Sequence, residues 1–219
     1  MKTAIILGAT GLTGGCLLRH LLDDDRYEKI KLFSRSEVGF THPKMEEYLV
    51  DFLALQSDKL DFTGDEVYCC IGTTKAKTKN KGLYRKIDLG IPVSAAKLAR
   101  ENDIKVFMVI SALGANPQSN IFYNRIKGEM EEEVLQVGIP RTYILRPSLI
   151  AGKREEARIG EWIFKQLMRV ANYIMIGPLD KYKSIHPEKI AKCMVWLSNH
   201  EYARKVIESD EIKKIALQH

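Results

Sequence analysis

Gly8-Ala9-Thr10-Gly11-Leu12-Thr13-Gly14-Gly15 directly follows the apolar run Thr3-Ala4-Ile5-Ile6-Leu7, and this stretch decides the fold. It predicts a buried strand, a glycine-rich turn and a helix through Leu22. Gly8 permits the tight turn, Gly11 lets the backbone approach a pyrophosphate, and Gly14 allows the helix to pack closely on the strand. N–H groups at the start of the helix face that anion, and the helix dipole favours it. The stretch therefore predicts the phosphate end of a dinucleotide site, with Thr10, Leu12 and Thr13 as further contacts.

Length and composition are typical of one soluble domain. The chain has 219 residues, of which 45% are apolar and 28% charged, enough for a sizeable core. No apolar run approaches the roughly 20 residues that cross a bilayer. The N-terminus has neither a basic segment nor a cleavage site, so we expect a cytoplasmic protein with no membrane partner. The net charge of +6 suits an anionic ligand, but it suits solubility equally well.

The four cysteines, Cys16, Cys69, Cys70 and Cys193, lack the spacing of metal ligands. Cys69 and Cys70 fall within a predicted buried strand, where cysteine packs as a small apolar side chain. We expect neither a metal site nor a disulfide framework.

Strands and helices alternate along the chain. Strands are predicted at residues 3–7, 29–34, 47–50, 66–71, 105–111 and 141–146. Helices are predicted at residues 13–22, 83–101, 122–137, 159–171, 187–199 and 209–217. This order predicts an α/β fold: a doubly wound (Rossmann) parallel sheet with helices on both faces. Residues 1–150 would form the dinucleotide-binding core, and residues 151–219 a C-terminal helical segment on the substrate side of the same domain.

The ends of the second and third strands carry candidate cofactor contacts. Arg35 follows the second strand, where an acid binds the ribose 2′-hydroxyl of NAD and an arginine accommodates the 2′-phosphate of NADP. NADP(H) is therefore favoured, with NAD(H) possible; the alternative is a solvated arginine in a loop. Asp51, followed by Phe52, could bind the adenine amino group or could cap the next turn.

Gly72, Thr73 and Thr74 close the fourth strand. A glycine here lets the backbone lie against a bound cofactor, and the threonine hydroxyls can reach its ribose or phosphates. We expect this loop to contact the cofactor.

Ser111 ends the fifth strand, and Tyr123 and Lys127 follow on the next helix. Residues spaced i, i+4 project from one face of a helix. An ammonium beside a phenol favours the phenolate and lowers its pKa from about 10. Tyr123 is thus a candidate general acid/base, and Ser111 could hold a substrate oxygen beside it.

These residues resemble the short-chain dehydrogenase/reductase superfamily, of which the chain is identified as an atypical member. The resemblance covers nearly the whole chain, from the glycine turn through Asp51, Ser111, Tyr123/Lys127 and Arg146-Pro147 to Gly160-Glu161-Trp162. Within the superfamily the chain is most similar to the Tat-interacting-protein (CC3-type) oxidoreductases. They share the strand end Cys69-Cys70-Ile71-Gly72-Thr73-Thr74 and a Tyr-x-x-x-Lys-Gly-Glu helix, here Tyr123 to Glu129.

The resemblance implies a Ser–Tyr–Lys catalytic group and a nicotinamide cofactor. Tyr123 would exchange the proton with the substrate oxygen, Lys127 would lower the tyrosine pKa and bind the nicotinamide ribose, and Ser111 would orient the reacting oxygen. Pro147 and Ser148 fall where the superfamily contacts the carboxamide.

Two positions depart from the family pattern. Ala112 stands where related proteins often carry a second serine, and Asp88 stands where many members place the asparagine of a proton relay. Some atypical members bind NADP(H) as sensors, so the three catalytic residues make turnover possible without proving it.

A basic segment, here defined as Lys75 to Lys86, carries six Lys and Arg residues. A solvated flexible loop is the leading interpretation, followed by attraction of anions. Nucleic-acid binding is disfavoured, because no aromatic stacking platform accompanies the charges. Trp162 and its apolar neighbours are expected to pack in the core, and a wall of the substrate cleft or a dimer surface is the alternative. His186 is expected to cap a helix at Pro187.

The leading hypothesis is NADPH-dependent reduction of a small carbonyl or related substrate. The first alternative is an NADP(H)-binding regulatory protein whose affinity for a protein partner depends on the cofactor. The second is an NAD(P)-dependent sugar epimerase or dehydratase, for which the 70 or so residues after position 150 are few. We expect a monomer or a homodimer.

Overall fold

Seven parallel strands form one sheet in the computed structural model, which describes residues 1–152 and 181–218. They are β1 (Lys2–Leu7), β2 (Tyr27–Ser34), β3 (Met45–Leu49), β4 (Glu66–Cys69), β5 (Val106–Ile110), β6 (Arg141–Arg146) and β7 (Val206–Glu208). The order β3-β2-β1-β4-β5-β6-β7 reverses direction at β1, so the predicted doubly wound sheet is confirmed. All six predicted strands exist. β7 was missed because its three residues are too few to show a pattern.

The helices lie near their predicted positions. They are α1 (Leu12–Leu22), α2 (Lys81–Arg85), α3 (Ile91–Glu101), α4 (Phe122–Gln136), α5 (Pro187–Asn199) and α6 (Ser209–Ile215). A short 3₁₀ helix, Phe52–Asp58, lies between β3 and β4. The helix predicted at residues 122–137 is followed by Gly138, whose φ of +73° is typical of the residue after a helix end. His186 caps α5 as predicted, because its ring accepts a hydrogen bond from the Glu188 N–H.

Two hydrophobic layers cover the two faces of the sheet. Along β1, Ala4 and Ile6 pack with the helices α1, α5 and α6. The alternate residues, Ile5 and Leu7, pack with α3, α4 and the 3₁₀ helix. Because neighbouring strand residues point to opposite faces, a strand that is apolar at every position must be covered on both sides.

The helix predicted at residues 83–101 is divided. A π-helical turn, Lys86–Gly90, lies between α2 and α3. Pro92 has no N–H to donate to the Asp88 carbonyl four residues earlier, so the regular α-helical hydrogen bond cannot form there. The wider turn places Asp88 inside the protein, where its side chain is buried.

The helix predicted at residues 159–171 and its Trp162 lie outside the described residues. Within the described ranges, no helix is both long and apolar enough to cross a membrane.

Candidate functional site

The glycine turn lies at the carboxyl end of β1, on the edge of the sheet where α/β proteins bind ligands. Gly8 has a φ of +88°, a conformation that side chains disfavour. A Cβ on Gly14 would lie only 2.2 Å from the Gly8 carbonyl oxygen, so α1 approaches the turn as closely as a glycine allows. The Gly11 N–H donates to that same oxygen at 3.0 Å, which closes the turn.

The start of α1 fits a phosphate. Gly11 precedes the helix, no side chain caps it, and its first turn holds no acidic residue. The N–H groups of a first turn have no partner inside the helix, and together they carry about half a positive charge. This end of the site therefore fits the pyrophosphate of a dinucleotide.

A cleft of about 1020 Å³ opens beside the turn. Its walls include Thr10, Gly11 and Leu12 on one side and Ser36 and Glu37, which follow β2, on the other. Arg35 is exposed at the carboxyl end of β2, next to this wall. The sequence had given no signal for Arg19, His42 and His186, which also line the cleft, because their distances along the chain show no common pattern.

Asp51 caps the 3₁₀ helix, since its carboxylate accepts a hydrogen bond of 2.9 Å from the Leu53 N–H. The structure thus confirms the capping interpretation, and the adenine contact stays a prediction. The Phe52 side chain is 6% exposed and belongs to the core, so only its backbone remains as a possible cofactor contact.

The loop after β4 lies against Lys127 and Asp88. A Cβ on Gly72 would lie 3.5 Å from the Asp88 carboxylate and 3.9 Å from Lys127 Nζ. The Thr73 N–H donates to Asp88 at 2.8 Å. The Thr73 hydroxyl bonds to the Thr78 hydroxyl at 2.9 Å and so helps to hold the loop; its contact with a cofactor stays a prediction.

Tyr123 and Lys127 occupy one end of α4 as predicted. Tyr123 is 39% exposed, whereas Lys127 is 3% exposed. Lys127 Nζ lies 3.0 Å from the Asp88 carboxylate and donates to the Ile110 carbonyl at 3.3 Å. Burial by itself lowers the pKa of Lys127, but the Asp88 carboxylate and the Tyr123 phenol outweigh it and raise that pKa above its usual value. Lys127 therefore keeps its charge at neutral pH.

Ser111 is bonded in a different way from the one predicted. Its buried hydroxyl donates to the Glu131 carboxylate, and Glu131 also forms a bidentate ion pair with Arg146, whose Nε lies 2.9 Å from one of its oxygens. A hydroxyl has one hydrogen to donate, and this one is donated to a side chain that is also paired with an arginine. In this arrangement Ser111 cannot donate a hydrogen bond to a substrate oxygen. The sequence had no signal for this network, because its three residues lie on separate elements.

Pro147 and Ser148 follow β6. The Ser148 hydroxyl donates to the Lys183 carbonyl and accepts a hydrogen bond of 3.0 Å from Ser209. These bonds tie the end of β6 to the C-terminal part of the chain, and a carboxamide contact at these residues stays a prediction.

Gly128 follows Lys127 and is required by packing. A Cβ there would lie 2.2 Å from the Pro117 backbone nitrogen, since the loop after β5 crosses α4 at this point. The glycine after the lysine in the motif thus has a steric cause, because only a residue without a side chain fits between α4 and that loop.

A doubly wound sheet, a glycine turn at its switch point and a Tyr–Lys pair on one helix define the class: an NAD(P)-binding fold of the short-chain dehydrogenase/reductase type. The rat protein HTATIP2 (Rattus norvegicus) is 32% identical over 169 residues, which cover 75% of this chain and 69% of that protein. The Aspergillus niger protein fmp52, named mitochondrial, is 34% identical over 202 residues, or 89% of this chain and 86% of that protein. The chain belongs to the family of HTATIP2 and FMP52 proteins, and its predicted resemblance is confirmed.

Other comparisons agree on the fold. The Bordetella bronchiseptica enzyme WbmH, solved in complex with NAD⁺, superposes with a TM-score of 0.71 at 15% identity, over 99% of this chain and 79% of that one. No protein-family model matches the chain.

The predicted cytoplasmic location is contradicted by the names of the sequence relatives. Relatives from several fungi that match most of this chain are named mitochondrial. Composition and the absence of an apolar run gave no information on which compartment a protein with this fold occupies.

Proposed function

We propose that this protein is an NADP(H)-dependent oxidoreductase that interconverts a small carbonyl compound and its alcohol. The observation that carries the proposal is the buried Asp88–Lys127 ion pair at 3.0 Å, one helical turn from the exposed Tyr123. The Lys127 ammonium is buried and lies beside the Tyr123 phenol, at the edge of the sheet where ligands bind. A phenol with such a neighbour is suited to transfer a proton.

The cofactor would be held by groups already described. The N–H groups of Leu12 and Thr13 in the first turn of α1 would bind its pyrophosphate, and Gly72 would let the loop backbone lie close to it. Arg35 supports a preference for the 2′-phosphate. The complex of WbmH with NAD⁺ supports a nicotinamide dinucleotide, because that enzyme shares the fold.

A bound nicotinamide cofactor supplies or accepts the hydride at the carbonyl carbon. Tyr123 donates its phenolic proton to the carbonyl oxygen and remains as a phenolate. The Lys127 ammonium stabilises that phenolate, and Asp88 keeps Lys127 charged and oriented. In the reverse direction the phenolate accepts the proton of the alcohol.

Substitution of Tyr123 tests the proposal. NADPH consumption with a panel of aldehydes, ketones and quinones is compared between the natural protein and Tyr123→Phe, with NADPH binding measured separately. We expect the rate to fall at least about 100-fold, as for other general acids, with the dissociation constant of NADPH unchanged. Tyr48→Phe is the matched control, because its hydroxyl bonds to Glu46 on β3, away from this helix. Equal rates for Tyr123→Phe and the natural protein would refute the proposal.

Substitution of Arg35 tests the cofactor preference. Arg35→Ser is expected to weaken NADPH binding by about tenfold or more, the value of a charge-assisted hydrogen bond, and to leave NADH binding unchanged. Equal loss for both cofactors would contradict the assignment of Arg35 to the 2′-phosphate.

One observation favours a second candidate, an NADP(H)-binding regulatory protein with little turnover. The Ser111 hydroxyl donates its hydrogen bond to Glu131, so it is not available as the expected donor to a substrate oxygen. Tight NADPH binding without turnover on the panel, together with a protein partner captured only when NADPH is present, is the expected result for this candidate. The epimerase alternative stays a prediction, because a shared fold at 15% identity does not identify the substrate.

A further inference from the structure

We propose that the substrate of the Tyr123 site carries a carboxylate or phosphate group, and that the basic segment Lys75–Lys86 binds this anion. The inference rests on the proposed oxidoreductase function and adds the chemical class of its substrate.

The basic segment has no internal neutralising charge. It contains five lysines and one arginine and no acidic residue. The next acid along the chain, Asp88, is buried and faces Lys127 at 3.0 Å. Arg85 forms an ion pair with Glu129 of α4. The exposed lysines Lys75, Lys79 and Lys86 have no carboxylate partner among residues 1–152 and 181–218.

Hydrogen bonds hold the segment at several points. Thr78 is buried and bonds to the Thr73 hydroxyl at 2.9 Å. Asn80 caps α2 through the Leu83 N–H at 2.9 Å. The Tyr84 hydroxyl donates to the Thr73 carbonyl at 3.2 Å. These bonds constrain the backbone that carries the lysines, and a constraint present before binding lowers the entropic cost of binding.

These anchors place the segment on the catalytic helix. Tyr84 packs edge-on against Phe122, the residue before Tyr123, with 5.6 Å between the ring centroids. Lys81 Nζ lies 5.7 Å from the centroid of the same Phe122 ring. The other end of the segment continues from Gly72, beside Lys127. Both ends of the segment thus adjoin the residues that would react with substrate.

The position of the segment favours the substrate over the cofactor as the source of the anion. The pyrophosphate site is at the start of α1, whereas the basic segment contacts α4. Leu83, within the segment, and Ile121, which directly precedes α4, are 42% and 62% exposed. Apolar side chains beside lysines suit a compound with an apolar body and one anionic end.

A matched pair of aldehydes tests the inference. 4-Carboxybenzaldehyde and benzaldehyde share the reacting group and differ by one charge. The natural protein is expected to have a KM about tenfold lower for 4-carboxybenzaldehyde, and the advantage should shrink in 0.5 M salt, because salt screens exposed charges. The variant Lys75→Glu/Lys79→Glu should raise the KM for 4-carboxybenzaldehyde by at least about fivefold. This is the change in affinity that corresponds to the Coulomb energy of one pair of unit charges in contact in water. The KM values of this variant for benzaldehyde and NADPH should not change.

Lys97→Glu/Lys105→Glu is the matched control, because it makes the same change in net charge at exposed lysines on α3 and before β5. Three results would overturn the inference: no preference for the carboxylate, an equal effect of the control variant, or a rise confined to the KM of NADPH. If benzaldehyde is reduced without any preference, the proposed function still stands. If neither aldehyde is reduced, the proposed function loses support, and calorimetric binding of 4-carboxybenzaldehyde to the two variants decides on the anion site by itself.

Discussion

Asp88→Asn changes the charge of one buried group and little else. Asparagine has nearly the same shape, and its side-chain oxygen can still accept the hydrogen bond that Thr73 N–H donates at 2.8 Å. The ammonium of Lys127, 3.0 Å away and almost fully buried, loses its counter-ion. Removing one partner of a buried ion pair costs about 3–5 kcal/mol, a large part of the 5–15 kcal/mol by which a typical domain is stable.

The same substitution reverses the pH dependence of the free energy of unfolding. In the natural protein the pKa of Lys127 is raised, so its contribution to stability is complete below about pH 10.4, the usual lysine value, and is lost as the pH rises through the higher folded-state pKa. In Asp88→Asn burial is no longer opposed by the carboxylate, so the pKa of Lys127 falls below the usual value. The unfolded variant then binds more protons than the folded one, and stability rises with pH up to about 10.4.

Urea unfolding at pH 7, 8 and 9 measures both effects. We expect a loss of about 3 kcal/mol at pH 7 that becomes smaller at pH 9. The alkaline limit of the proposed NADPH-dependent activity should move to lower pH. Asp103→Asn is the matched control, since this acid is exposed and asparagine tolerates its φ of 56°. A double variant, Asp88→Asn/Lys127→Met, should be more stable than Asp88→Asn alone because no unpaired charge remains. A loss below about 1 kcal/mol with an unchanged pH slope would refute the account of the ion pair, since that is the range of ordinary substitutions.

Three further substitutions test the fold around the site. Gly14→Ala places a Cβ 2.2 Å from a backbone oxygen and should abolish NADPH binding or folding. Gly90→Ala has no atom within 4 Å of its Cβ, so it should be neutral or stabilise the protein by about 0.5–1 kcal/mol. Equal thermal denaturation of the two variants would contradict this difference. Glu131→Gln leaves the Arg146 guanidinium, which is 23% exposed, without its carboxylate partner. The free energy of unfolding in urea should fall by about 3 kcal/mol. A fall of less than about 1 kcal/mol would show that this ion pair contributes no more than an exposed one. His186→Ala removes a helix cap and should cost about 0.5–1 kcal/mol, and a gain in stability would be inconsistent with the cap.

Local sequence patterns predicted the elements well wherever one physical cause dominates. The apolar run before Gly8 and the glycine spacing after it determine a strand, a turn and a helix, because sterics and backbone hydrogen bonding act within a few residues. The i, i+4 spacing placed Tyr123 and Lys127 on one helix face for the same reason. The π-helical turn before Pro92 was missed, although the proline itself was the available signal.

Contacts between distant residues were decided by the tertiary structure. Nothing in the spacing of Ser111, Glu131 and Arg146 indicates that they share one buried network, because they come from a strand end, a helix and another strand end. Asp88 was recognised as a departure from a pattern, but only the packing of α4 against the π-helical turn makes it the counter-ion of Lys127. The sequence by itself determined a nucleotide-binding strand–turn–helix and a Tyr–Lys pair, since these are local. Which groups are ionised, bonded or available to a substrate depends on burial and on neighbours across the chain, and those exist only once the chain is folded.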